Sequence, residues 1–235
     1  MPIDAEFTLP EIVPDDGMTT QDYAYHRLRN AILLGAIPPG TQLTFRGLAT
    51  MLNLSPTPVR EAVRRLSSEH ALEVLGNRRL QVPDMGASRF EELILLRIAL
   101  ETHAAERAFP YVSSVLIEYL RELDDRMDRL LQAGRLDDLT LLNQDFHGQL
   151  YAANPFQQAL PLIESVWLQL GPFQRQVMQN VTRYYHEDRH KEILEALEAR
   201  DSMALVVAVE NDIRDGQARA GRAALQDAAR DDLSG

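Results

Sequence analysis

Ser55-Pro56-Thr57-Pro58-Val59-Arg60-Glu61-Ala62-Val63-Arg64-Arg65-Leu66 is the stretch that decides the fold. Val59, Ala62, Val63 and Leu66 recur at helical spacing and make one apolar stripe. Ser55 stands where a residue caps a helix, and Pro58 lies in the first turn, where a missing N–H does no harm. Arg60 and Arg64 are four apart and share the opposite face. Just upstream, Phe45 to Leu52 reads as a second short helix with Leu48, Ala49 and Leu52 inward. Only Asn53-Leu54 separates the two, and helices of this length joined by so tight a turn form a helix-turn-helix.

Working outward, Tyr25, Leu28, Ile32 and Leu33 predict an earlier helix, capped by Thr19 or Thr20 and stopped at Gly35 and Pro38-Pro39-Gly40. Ala71 to Leu75 reads as a strand, Gly76-Asn77 as a turn, and Leu80 to Val82 as a return strand ending at Pro83: a two-stranded wing. Residues 1–18 are rich in Pro and Asp and read as a flexible arm, and residues 84–88 as a linker. From Arg89 onward only helical patterns occur, over about 88–109, 112–133, 135–152, 156–181, 185–199 and 201–228. The expected fold is mainly α: a winged helix-turn-helix over 19–83, with three helices and a two-stranded wing, then an all-α antiparallel bundle over 89–230.

The 235 residues are 45% apolar, enough for two cores. Cysteine is absent, which excludes disulfides and thiolate metal sites and suits a reducing cytoplasm. No apolar run approaches the ~20 residues needed to cross a bilayer, so no membrane partner is expected. Net charge is −11, unevenly spread: −5 over residues 1–21, +4 over 22–83 and −10 over 84–235. A basic segment on an acidic body suits a protein that meets phosphate at one end.

The basic segment carries the chemistry of a duplex reader. Ser55 and Thr57, at a helix N-terminus, offer hydroxyls and backbone N–H groups to a phosphate. Arg60 and Arg64 face outward, and the arginine fork matches phosphate oxygens and the guanine edge. Arg46, on the preceding helix, reaches toward the same groove. Arg78 and Arg79, at the wing tip, suit the DNA backbone or minor groove. Each alone reads better as a solvated arginine; together, on this scaffold, they point to double-stranded DNA.

The run Gly35-Ala36-Ile37-Pro38-Pro39-Gly40-Thr41-Gln42-Leu43, then Leu48-Ala49, Leu52 and Ser55 to Ala62, resembles the N-terminal domain of GntR-family transcription regulators. The family pattern is roughly G-x-x-x-P-G-x-x-L, then L-A, then S-R-T-P-V-R-E-A-L. The likeness implies operator contacts at Arg46, Ser55, Thr57, Arg60 and the wing. Two departures stand out. Pro56 replaces the arginine after the capping serine, and Asn77-Arg78-Arg79 replaces Asn-Arg-Gly, which implies an altered operator and more backbone binding.

The helical part is similar to the FCD ligand-binding domain of the FadR-like branch. Leu96 to Glu101 matches R-x-x-L-E, Asn143 to His147 matches D-x-x-F-H, and His190 to Leu197 followed by Asp201 matches H-x-x-I-x-x-A-I…G-D. Many members hold a divalent metal with one Asp and three His. Carried over position by position, the set here is Asn143, His147, His190 and Asp212, which implies a zinc, nickel or iron type of ion. His186 is an alternative ligand, while His147 and His190 also read as buried core histidines or as direct effector contacts. His26, His70 and His103 read as structural. Arg97 is either an effector clamp for a small carboxylate or the partner of Glu101 in an i,i+4 ion pair.

The expectation is a homodimeric, cytoplasmic repressor on a palindromic operator, modulated by a small organic acid, and not an enzyme. The alternatives are a constitutive DNA-binding dimer and a metal-dependent hydrolase built on His147, His190 and Asp212, with Asp145 or Glu187 as base.

Overall fold

A computed structural model describes residues 7–76, 79–178 and 189–234, with no account of the side chains beyond 230. Arg78, Asn77, His186, Glu187 and the start of the helix expected at 185 lie outside the described residues. The chain divides into two compact units, one from 1–86 with 167–175, the other from 87–166 with 176–235.

In the first unit, α1 (Thr20–Leu33), α2 (Phe45–Leu52) and α3 (Pro56–Ser68) surround a core in which Leu28, Ile32, Leu48 and Leu66 are buried. Thr19 caps α1 by accepting from the Asp22 N–H at 3.1 Å, and Thr44 caps α2 by accepting from Gly47 at 3.0 Å. Asn53 turns the chain between α2 and α3 in the left-handed region, at φ 53°. The sheet has three strands rather than two. Besides β2 (Glu73–Leu75) and β3 (Arg79–Gln81), β1 (Gln42–Thr44) pairs antiparallel with β3, setting Leu43 against Leu80, both buried. Three residues are too short to show a period-2 pattern, which is why β1 was not expected.

Residues 7–18 carry no regular element, yet Leu9 is buried and its carbonyl accepts from the buried Arg27 at 3.0 Å. The helix expected over 156–181 is interrupted. It runs as α7 (Leu160–Leu170) and gives way to a 3₁₀ turn at Gly171–Phe173. Gly171 lies so close to α1 that a Cβ there would fall 2.6 Å from the Leu33 Cα, and Pro172 has no N–H to donate.

Among the described residues, the regular elements of the second unit are all helices. It contains α4 (Ala87–Ala108), α5 (Ser114–Gln132), α6 (Leu136–Ala152), α8 (Arg189–Glu198), α9 (Ser202–Ile213) and α10 (Arg219–Ser234). α9 packs on α4 and α8, while α5 packs on α6 and α8. Phe90, Ile94, Phe146 and Tyr151 are fully buried. The single helix expected over 201–228 is two helices joined by a π turn at Arg214–Ala218. Among the described residues, no helix is long and apolar enough to cross a membrane.

Candidate DNA-binding surface and metal centre

On α3, Val59, Ala62, Val63 and Leu66 are buried, which turns Arg60, Arg64 and Arg65 outward. Arg46 on α2 and Arg79 on β3 are exposed too. The Arg60 guanidinium sits over the Phe45 ring, 4.8 Å from its centroid. Arg64 pairs with Glu61 at 2.9 Å, with 80% of its side chain exposed. Such a surface pair contributes about 0–1 kcal/mol and is readily exchanged for a phosphate.

Ser55 departs from its expected role. It holds the N-cap backbone position of α3 but makes no side-chain cap bond. A cap side chain bonds the second or third helical N–H. The third residue here is Pro58, which has none, so only the Thr57 N–H remains. The hydroxyl and that N–H therefore stand exposed at the end of the helix that carries Arg60.

The second unit gathers three of the four residues expected around a metal. His147 on α6, His190 on α8 and Asp212 on α9 are all buried, with ligand atoms within 4.8 Å of one another. His147 Nε2 lies 3.2 Å from Asp212 Oδ2, and His190 Nε2 lies 3.9 Å from Oδ1. The 3.2 Å contact is not aligned as a hydrogen bond, and among the described residues His147 Nε2 has no hydrogen-bond partner. Burial pushes the Asp212 carboxyl up, but His190, His147 and Arg97 outweigh it and hold the group well below the usual range. Asn143 reaches the cluster with its amide nitrogen 3.0 Å from His190 Nε2. A carboxamide nitrogen does not ligate metal; a half-turn of the amide would present the oxygen instead.

An imidazole nitrogen without a partner among the described residues, beside a buried carboxylate and a second imidazole, is the donor chemistry of a zinc or nickel site, so the residues fit a divalent ion. Further groups surround them. Asp124 on α5, buried, lies 3.4 Å from His190 Nδ1. Tyr151 Oη donates to Glu101 Oε2 at 2.9 Å and lies 3.2 Å from His147 Nδ1. Burial, with Glu101, pushes the Tyr151 phenol well above its ordinary value.

Arg97 is engaged on both sides. It is ion-paired with Glu101 and donates through Nη1 to Gln217 in the π turn. Burial works against its charge, and Glu101 more than restores it.

Residues 20–82 match the bacterial regulatory proteins of the gntR family, and residues 92–215 match the FCD domain. The chain belongs to the gntR family, with an FCD domain. McbR, an HTH-type transcriptional regulator of Escherichia coli strain K12, is 28% identical over 177 residues, which is 74% of this chain and 80% of McbR. An uncharacterized HTH-type regulator from the TAR-I ttuE-ttuC' intergenic region of Agrobacterium vitis is 31% identical over 132 residues, 55% of this chain and 77% of that protein. The solved E. coli McbR/YncC structure shares the fold, with a TM-score of 0.80 at 24% identity over 87% of this chain and 98% of that one. This gntR-family chain is thus a transcriptional regulator, and its relatives are regulators rather than enzymes.

Of the residues around the centre, Asp124, Tyr151 and Gln217 were not foreseen. Tyr151 is four residues after His147 and shares its helix face, a spacing that could have exposed it. Asp124 interrupts the apolar series Ile117, Leu120, Met127, the mark of a buried charge with a task.

Proposed function

We propose that this regulator binds a palindromic operator as a homodimer, through Arg46, Ser55, Thr57, Arg60, Arg64 and Arg79, and represses until a small carboxylate reaches the helical domain. The observation that carries the reading is the outward arginine face of α3 beside an uncapped helix start. Helix N-termini and arginines both favour phosphate, and a two-fold dimer would present one such face to each half-site.

In the helical domain, His147, His190 and Asp212 would hold a divalent transition metal, with the Asn143 oxygen as a further donor after rotation. Such an ion supplies a Lewis-acid centre for an effector oxygen. Effector binding shifts the operator affinity only to the extent that it favours one arrangement of the domain over another.

Fluorescence anisotropy with duplexes from the DNA upstream of its own gene, across a salt series, tests the reading. Binding that weakens steeply with salt is expected. Absence of binding at low salt to every such duplex would overturn it. A thermal-shift screen of organic acids, with and without chelator, tests the sensor.

A further inference from the structure

We infer that Tyr151 and Glu101 form a positioning relay that fixes His147 as the Nδ1–H tautomer and so keeps its Nε2 lone pair bare toward Asp212 and His190. The inference rests on the metal reading of this centre for its purpose, but not for its geometry.

Glu101 is fully buried and ion-paired with Arg97, so it is a carboxylate, and a carboxylate only accepts. Tyr151 has one proton. Its oxygen lies 2.9 Å from Glu101 and 3.2 Å from His147 Nδ1, so the proton goes to the nearer and stronger acceptor. The phenol oxygen then has only lone pairs to offer to the imidazole, and Nδ1 must be the donor. A neutral imidazole carries one N–H, which leaves Nε2 without a proton.

The other end of the ring agrees. Nε2 is buried and faces a carboxylate oxygen at 3.2 Å without a hydrogen bond between them. Were the proton on Nε2, it would be buried with no acceptor in line among the described residues, at a cost of about 1–3 kcal/mol. Two lone-pair atoms facing each other instead call for a cation between them. Metal-binding histidines are commonly oriented in this way by a group on the far nitrogen, and losing that group weakens metal binding about 10- to 100-fold. Here the orienting carboxylate acts through a tyrosine.

The test reads tautomers directly. Metal-free, 15N-histidine-labelled full-length protein is observed by long-range 1H–15N correlation at mildly alkaline pH. A protonated Nδ1 and a bare Nε2 are expected for His147; the opposite tautomer, with Nε2–H toward Asp212, overturns the relay. Tyr151→Phe, checked for unchanged helix content, should lose the preference for Nδ1–H and bind Zn2+ 10- to 100-fold more weakly by chelator competition. Unchanged affinity and tautomer in that variant also overturn the relay. If the wild-type protein takes up no Zn2+ or Ni2+, the metal reading fails, and the wild-type tautomer alone decides the relay.

Discussion

The guanidinium of Arg60 rests over the ring of Phe45, 4.8 Å from its centroid, so the first residue of α2 steadies a side chain on the outer face of α3. A cation held this way at an exposed site gains about 0.5–1 kcal/mol, and an arginine held in place loses less freedom on meeting its target. Arg60→Ala should weaken operator binding by about 1–3 kcal/mol. If Arg60 meets a phosphate, the salt slope should fall by about one unit. Phe45→Leu should cost only a few-fold, because the arginine is retained. Anisotropy titrations at several salt concentrations read both effects, and an Arg60→Ala protein as tight as wild type would remove Arg60 from the interface.

Much of this surface was legible because apolar spacing alone determines which way the arginines of α3 point: burying Val59, Ala62, Val63 and Leu66 leaves Arg60 and Arg64 no other direction. Ser55 takes the expected N-cap backbone position, but its side chain makes no cap bond, and Pro58 removes one of the two N–H groups such a bond could meet. The centre was half legible. His147, His190 and Asp212 follow from family spacing, and the structure brings them together. Asp124 and Gln217 come from helices distant in sequence, and no local pattern states which helix faces which. The π turn was illegible because one extra residue in a helix leaves the apolar pattern nearly unchanged.

Gly221 on α10 faces the buried ring of Phe90, and a Cβ there would fall 2.2 Å from Cζ. Alanine improves helix propensity by about 1 kcal/mol, but forcing a methyl into a filled core costs about 1–3 kcal/mol. Gly221→Ala should therefore lower Tm by a few degrees. No described residue comes within 4 Å of a Cβ built on Gly148, inside α6, so Gly148→Ala should raise Tm instead. Melting curves of the two variants beside wild type check the contrast.

Tyr25 Oη donates to the Glu69 carboxylate, 2.8 and 2.9 Å from its two oxygens. Burial, together with that carboxylate, raises the phenol to about 12. In the unfolded chain tyrosine releases its proton near pH 10. Between about pH 10 and 12 the folded state thus binds more protons than the unfolded state. The stabilisation is complete below the unfolded pKa and is lost as pH rises through the folded one. Urea titrations across this window should show stability falling with pH, and Tyr25→Phe should flatten the slope. An equal slope in the variant would assign the loss to other groups.

Arg97 decides between its two readings through Gln217. In an unbroken α-helix, a residue five after Asp212 would point about 140° away from it. The π turn absorbs one residue, so position five behaves as position four does, and Gln217 comes round to accept from Arg97. The same turn is gripped from α8, where Arg189 donates to Asp215 at 3.0 and 2.6 Å. Gln217→Ala removes an acceptor from a buried cation, which costs about 1.5–3 kcal/mol and should lower Tm accordingly. If a carboxylate effector is held by Arg97, it competes with Gln217 for the guanidinium, and the variant should show a larger thermal shift with acids than wild type. If Arg97 only pairs with Glu101, the shift should be the same in both proteins, and the clamp reading of Arg97 would be abandoned.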